Sequence, residues 1–250
     1  MSVIHGILRD IGDKKRHLEK SAHTSVTDLV SVCMPNHNKG PYIYDAIRSI
    51  AEQKLSHVEL CIVDDCSTDN SRDEIDRALS DFSLMHRKLY LPKRVGTAWA
   101  QNIAYYLADG MYLANMDSDD ISALVRLQTQ KDYLEEHDLD FVGSNFSIFR
   151  DDINCPSLND GGIWLKYKKE QITKSYLDNN INCVCFGTGF FKKKVLEITG
   201  GLDKSFIGTE DYGFLYKIVK KGLKVGNVNK ILYFYRRCEG QRSSLFHASL

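Results

Sequence analysis

Apolar positions recur along this chain in short blocks separated by polar turns. Residues 29–34 form a compact apolar run, the shape of a buried strand, which Pro35-Asn36-His37-Asn38 breaks. Pro41 opens a helix, where its missing N–H costs nothing, and Ala46, Ile47 and Ile50 mark that helix's buried stripe. Residues 58–63 predict a second strand, ending in Asp64-Asp65. Cys66-Ser67-Thr68-Asp69 then turns the chain and caps a helix to about residue 79. The pattern continues as a strand over 88–91, a helix over 97–108, a strand over 111–116, a helix over 122–137 and a strand over 141–149.

Strand and helix thus alternate from residue 29 to about 137, the signature of a parallel sheet with helices on both faces. Ligands of such sheets bind beyond the carboxyl ends of the strands. Pro35-Asn36-His37-Asn38, Asp64-Asp65 and Asp117-Ser118-Asp119 all follow predicted strand ends, so they should meet at one crevice. Asp117 and Asp119 are two apart and share a face on an extended backbone. Their oxygens suit a hard divalent cation, Mg²⁺ or Mn²⁺, that can also hold phosphates. The other reading of the stretch is a turn whose Asp120 caps the next helix. A calcium loop is excluded, because Ile121 and Ser122 stand where it needs an oxygen ligand and a glycine.

The second half is less periodic. Residues 151–162 are a polar loop and the clearest internal boundary, and 167–177 predict a helix. Residues 183–191 are apolar and include Gly187 and Gly189, which suit either a close approach to a ligand or a strand bend. Residues 194–199 predict a short helix ended by Gly200-Gly201. Glu210-Asp211 opens another helix, with Phe214, Leu215, Ile218 and Val219 as its stripe. Residues 228–235 read as an aromatic strand and the rest as a polar tail.

Composition narrows the partners. Lys+Arg and Asp+Glu both number 33, a formal net charge of zero, which argues against nucleic-acid binding. No apolar run approaches the ~18 residues of a bilayer span, and no signal peptide is visible. The 7 cysteines include no Cys-x-x-Cys pair, which fits a reducing cytosol. Residues 1–28, with Lys14-Lys15-Arg16, read as a surface extension or as a peripheral contact with an anionic membrane face.

Several segments together resemble the family 2 glycosyltransferases, inverting enzymes on the GT-A nucleotide-sugar fold. Ser31-Val32-Cys33-Met34-Pro35-Asn36-His37-Asn38-Lys39 is similar to that family's opening strand and Pro-Thr-Tyr-Asn turn. Ile62-Val63-Asp64-Asp65-Cys66-Ser67-Thr68-Asp69-Asn70-Ser71 resembles its Val-Asp-Asp-Gly-Ser-Thr-Asp-x-Ser. Gly96 with Ala100-Gln101-Asn102 resembles its Gly…Ala-Arg-Asn, and Asp117-Ser118-Asp119-Asp120 its Asp-x-Asp motif. Gly200-Gly201-Leu202-Asp203 and Glu210-Asp211 resemble two later landmarks.

The resemblance implies an α/β GT-A fold: a mostly parallel sheet flanked by helices, with a smaller mixed acceptor-side region. It implies an N-terminal extension over 1–28, a nucleotide-sugar-binding half over 29–150, an acceptor half over 151–237 and a tail over 238–250. It implies transfer from a UDP-sugar to a hydroxyl of a saccharide or lipid-linked glycan, at the cytoplasmic face of the membrane. The alternative is an inactive nucleotide-sugar-binding module. Pro35, His37, Asp64 and Asp65 would surround the base, and a carboxylate accepts the N3–H of uracil. Gly96, Asn102, Asp117, Ser118 and Asp119 would complete the donor site, with Asp119 and Asp117 on the metal. Asp211 would be the base that takes the acceptor proton; its place at a helix start also suits the helix dipole. Glu210, Gly189, Trp164 and Arg236 would meet the substrate, Trp164 by stacking unless it packs internally. Two departures stand out: Gln101 replaces the family's usual Arg, and Cys238 stands near a frequent metal-site His.

Overall fold

Val30, Val32 and Met34 pack into one apolar layer and Cys33 into another, and all are fully buried. A strand buried on both sides needs cover on both sides, and the fold supplies it. The structure, a computed structural model, describes residues 28–150, 160–162, 169–203, 205–206 and 208–237. Strands β1 (Val30–Asn36), β2 (Val58–Asp64), β3 (Met85–Tyr90) and β4 (Tyr112–Asn115) run parallel in the order β3-β2-β1-β4. The sheet then turns mixed. β8 (Phe190–Lys192) is antiparallel to β4, β6 (Phe141–Arg150) is antiparallel to β8, and β9 (Val225–Arg237) is parallel to β6. The short β5 (Ile121–Ser122) closes the far edge on β9, and β7 (Asp160–Gly162) pairs with β6. This is the α/β architecture expected from the sequence, with one sheet running through both halves.

Helices α1 (Gly40–Ala51), α2 (Ser71–Asp81) and α4 (Arg126–Glu136) pack into one layer. Helices α3 (Thr97–Leu107), α5 (Lys169–Leu177), α6 (Lys194–Thr199) and α7 (Glu210–Lys220) pack into the other. Helix α1 buries Ile43, Ile47 and Ile50 completely, at roughly 1.5–3 kcal/mol each. That outweighs its missing side-chain N-cap, worth about 1 kcal/mol. A neighbouring carboxylate fills the gap: Asp69 accepts the Gly40 N–H at 2.9 Å and the Ser71 N–H at 3.0 Å, joining the starts of α1 and α2.

Two differences from the sequence expectation have clear causes. Strand β3 begins at Met85, because Met85-His86-Arg87-Lys88 lies at the sheet edge and carries no apolar run. Helix α4 begins at Arg126, four residues later than expected, because Ile121 and Ser122 pair with Phe234 and Tyr233 of β9. Asp120 therefore caps no helix; it is fully buried and accepts the Arg236 N–H at 2.7 Å.

Candidate active site

The tips of β1, β2 and β4 end at one cavity of about 370 Å³, within the usual range for small-molecule sites. Strand β1 contributes Pro35 and Asn36, the bend after it His37, and the turn after β2 Asp65. Thr97, Ala98 and Gln101 on α3 form one wall. Asp117, Ser118 and Asp119 line it beyond β4. Glu210 and Asp211, at the start of α7, line it as well. The 3₁₀ turn before β8 adds Cys185, Phe186 and Gly187.

The acidic turn is held from three sides. The Asp117 N–H donates to the Tyr233 hydroxyl at 3.1 Å, and Arg236 Nε donates to the Asp119 carbonyl at 2.6 Å. Arg236 lies between the rings of Tyr42 and Phe149, 4.7 and 4.5 Å from their centroids. From below, the fully buried Arg126 donates through Nη2 to the carbonyls of Asn115, at 2.8 Å, and Gly187, at 3.1 Å. Its partner Gln130 donates to the Thr188 carbonyl at 2.7 Å. One guanidinium thus ties the strand that delivers the acids to the turn that faces them.

Charge is crowded here. Burial and the neighbouring Asp119 push Asp117 up to about 7; Lys39 opposes the shift and Asp211 adds to it. Asp117 and Asp211 therefore feel each other across the cavity. The Lys39 ammonium reaches in from the β1–α1 loop and lies 2.5 Å from Asp119 Oδ2. Burial pushes the Cys185 thiol up to about 12, helped by Asp117 and Asp120, so it is a neutral wall.

Of the residues singled out from sequence, Pro35, His37, Asp65, Asp117, Ser118, Asp119, Glu210 and Asp211 share the cavity. Others lie elsewhere. Asp64 is fully buried and turned into the fold: it accepts from Asn36 at 2.8 Å, from Ser67 and from Arg72 Nε at 2.8 Å. Burial would raise it, but those hydrogen bonds hold it below the usual carboxylate range. Gly96 starts α3 with φ +95° and donates its N–H to Asp65 at 2.8 Å, a conformation that suits glycine. Asn102 faces the turn after α6, bonding both the N–H and the carbonyl of Leu202 at 2.9 Å. Gly189 packs in the core, where a Cβ would stand 2.6 Å from Phe141 Cζ. Arg236 braces the acidic turn from behind. Trp164 and Cys238 lie outside the described residues. Sequence reasoning missed Lys39, Arg126 and Gln130. Lys39 ends a segment already singled out, but its partner is 80 positions away.

The donor chemistry fits a divalent cation of the Mg²⁺ or Mn²⁺ kind. Asp117 and Asp119 both line the cavity, and such ions take one or two carboxylates and complete their shell with water and phosphate oxygen. Among the described residues no group of three or more His, Cys, Asp or Glu is arranged to hold a metal by itself, so phosphate oxygens would be needed.

Comparison with known families decides the class. Residues 31–199 match the model of glycosyl transferase family 2. The chain belongs to that family. It is a glycosyltransferase. The Escherichia coli protein WfaP, a UDP-Glc:α-D-GlcNAc-diphosphoundecaprenol β-1,3-glucosyltransferase, is 29% identical over 225 residues, 87% of this chain and 80% of WfaP. The O-antigen biosynthesis glycosyltransferase WbnJ of E. coli is 28% identical over 221 residues, 84% of this chain and 80% of WbnJ. In three dimensions the glycosyltransferase resembles S. aureus TarS, solved with UDP-GlcNAc: TM-score 0.70 at 21% identity, over 86% of this chain and 60% of that one. It also resembles the mannosyltransferase PcManGT from Pyrobaculum calidifontis, solved with GDP-Man and Mn²⁺: TM-score 0.68 at 20% identity, over 95% of this chain and 66% of that one. These two likenesses speak for the GT-A fold. No helix among the described residues is long and apolar enough to cross a membrane.

Proposed function

We propose that this glycosyltransferase moves a sugar from a UDP-sugar to a hydroxyl of a saccharide or lipid-linked glycan, with inversion, using a divalent cation and Asp211 as base. The observation that carries the reading is the common cavity: Asp117, Asp119 and Asp211 all line it, and the charge of Asp211 adds to the upward shift of Asp117. Pro35, His37 and Asp65 line the same cavity and would border the nucleotide base. His37 is fixed for this by a 2.9 Å contact between its Nδ1 and the Asp65 carbonyl.

The reaction is a single displacement. The acceptor oxygen attacks the anomeric carbon as the bond from that carbon to the diphosphate oxygen breaks. The acceptor proton passes to the Asp211 carboxylate, and UDP leaves with the bonding electron pair. Attack from the face opposite the leaving group inverts the anomeric centre. A bound Mg²⁺ or Mn²⁺, held by Asp119 with Asp117, would neutralise charge on the departing diphosphate. Asp211 and Glu210 open α7, a helix start that suits acidic side chains. Relatives such as WfaP, which acts on a diphosphoundecaprenol-linked sugar, support a lipid-linked acceptor at the cytoplasmic membrane face.

A thermal-shift panel of UDP-, GDP- and dTDP-sugars, each with and without Mn²⁺, tests this. A UDP-sugar at about a hundred times its Kd should raise Tm by roughly 5–10 °C, and only with metal. A GDP- or dTDP-sugar as the sole stabiliser would overturn the donor assignment. Binding without turnover on any glycan acceptor would leave only a binding module.

A further inference from the structure

Three cations surround the acidic turn, and they act on different atoms. Arg236 Nε and Arg126 Nη2 donate to backbone carbonyls, of Asp119 and of Asn115 with Gly187. Lys39 instead places its ammonium on a carboxylate oxygen, Asp119 Oδ2, at 2.5 Å. The two arginines belong to the scaffold: Arg126 is fully buried and Arg236 is 8% exposed. The Lys39 side chain is 26% exposed and lines the cavity. Its backbone is anchored, because its N–H donates to Ser71 Oγ at 2.9 Å. The result is a fixed pivot carrying a flexible four-carbon stem, with a compact point charge at the tip.

We propose that Lys39 is a tethered cation that neutralises Asp119 before metal and donor arrive, then transfers to the donor diphosphate. The inference rests on the donor-site reading above. An ammonium and a divalent cation both need the Asp119 oxygen, so they contend for it. The incoming diphosphate brings at least two negative charges into the same cavity and gives the displaced ammonium an anion within reach of its stem. Metal alone must evict Lys39 with nowhere to send it; metal with nucleotide evicts it onto the diphosphate. Each ligand therefore raises the affinity of the other, and the coupling passes through this side chain.

Mn²⁺ binding, followed by the EPR signal of free Mn²⁺, tests this on the wild type, Lys39→Met and Lys39→Arg, each with and without saturating UDP. Lys39→Met should bind Mn²⁺ about ten-fold tighter without UDP and within two-fold of wild type with it, so the coupling shrinks about ten-fold. Lys39→Arg keeps the charge and should keep the weak Mn²⁺ affinity of the nucleotide-free protein. Equal tightening in both states would mean that the charge acts only at a distance, and the proposal falls. It falls also if Lys39→Met changes neither value. A wild type that binds neither Mn²⁺ nor UDP would instead refute the donor-site reading itself. The side chain is partly exposed, so thermal unfolding of the variants reports separately on their fold.

Discussion

The turns after β2 and β4 are both rich in aspartate and both follow buried strands, yet they use their carboxylates in opposite ways. After β2, Asp64 is covered by Asn36, Ser67 and Arg72, while Asp69 receives two helix-start N–H groups. Asp65 lines the cavity while accepting the Val95 and Gly96 N–H groups at 2.6 and 2.8 Å. These acids hold loops in place. After β4, Asp117 and Asp119 crowd each other, and the cations around them grip mainly the backbone below. A carboxylate surrounded by donors stabilises its fold; one placed beside another carboxylate, facing a cavity, has its charge available to a ligand.

That contrast can be broken by mutation. The largest expected effect lies beneath the β4 turn: Arg126→Met should cost about 3–5 kcal/mol in urea unfolding, because it leaves the Asn115 and Gly187 carbonyls and Gln130 Oε1 without their donor inside the fold. Asp64→Asn should cost about 1–3 kcal/mol, since Arg72 and Ser67 lose a charged acceptor in the interior. Asp117→Asn should stabilise the metal-free fold at pH 8, where the ionised carboxylate is disfavoured, and should abolish stabilisation by UDP with Mn²⁺. Equal losses for the two aspartates would erase the distinction. Gly201→Ala should cost about 1–2 kcal/mol, since φ is +76° and the new Cβ would stand 2.6 Å from Asn102 Oδ1.

The smallest effect is one of pH. Asp117 is raised from its usual 3.8 to about 7 by burial and by Asp119. Its protonated form therefore favours the metal-free fold fully below pH 3.8, and this contribution is lost as pH rises through about 7. Metal needs the ionised form, so Mn²⁺-dependent UDP affinity should fall up to about ten-fold for each pH unit below 7 and level off above it.

Much of this was legible in the sequence. The apolar blocks located β1, β2, β4 and most helices, because strands buried on both faces and helices with one apolar stripe leave local signals. Acid-bearing strand ends pointed to one crevice because parallel sheets place those ends together. What the sequence hid was long-range. Ser122 read as the start of a helix because its strand partner, β9, lies over a hundred residues away. Asp64 and Asp117 look alike in sequence, and only their neighbours separate them. Arg236 read as a substrate contact, though it packs against two rings and bonds the acidic turn. Asn102 and Gly189 stood in suggestive segments but serve the packing between halves.

In the proposed reaction Asp211 removes the acceptor proton in the cavity that Asp117 and Asp119 also line. The most direct measurement is glycosyl transfer by Asp211→Asn beside UDP binding with Mn²⁺ by calorimetry. The account predicts unchanged UDP affinity and transfer reduced about a thousand-fold. Transfer within ten-fold of wild type, with binding intact, would contradict it.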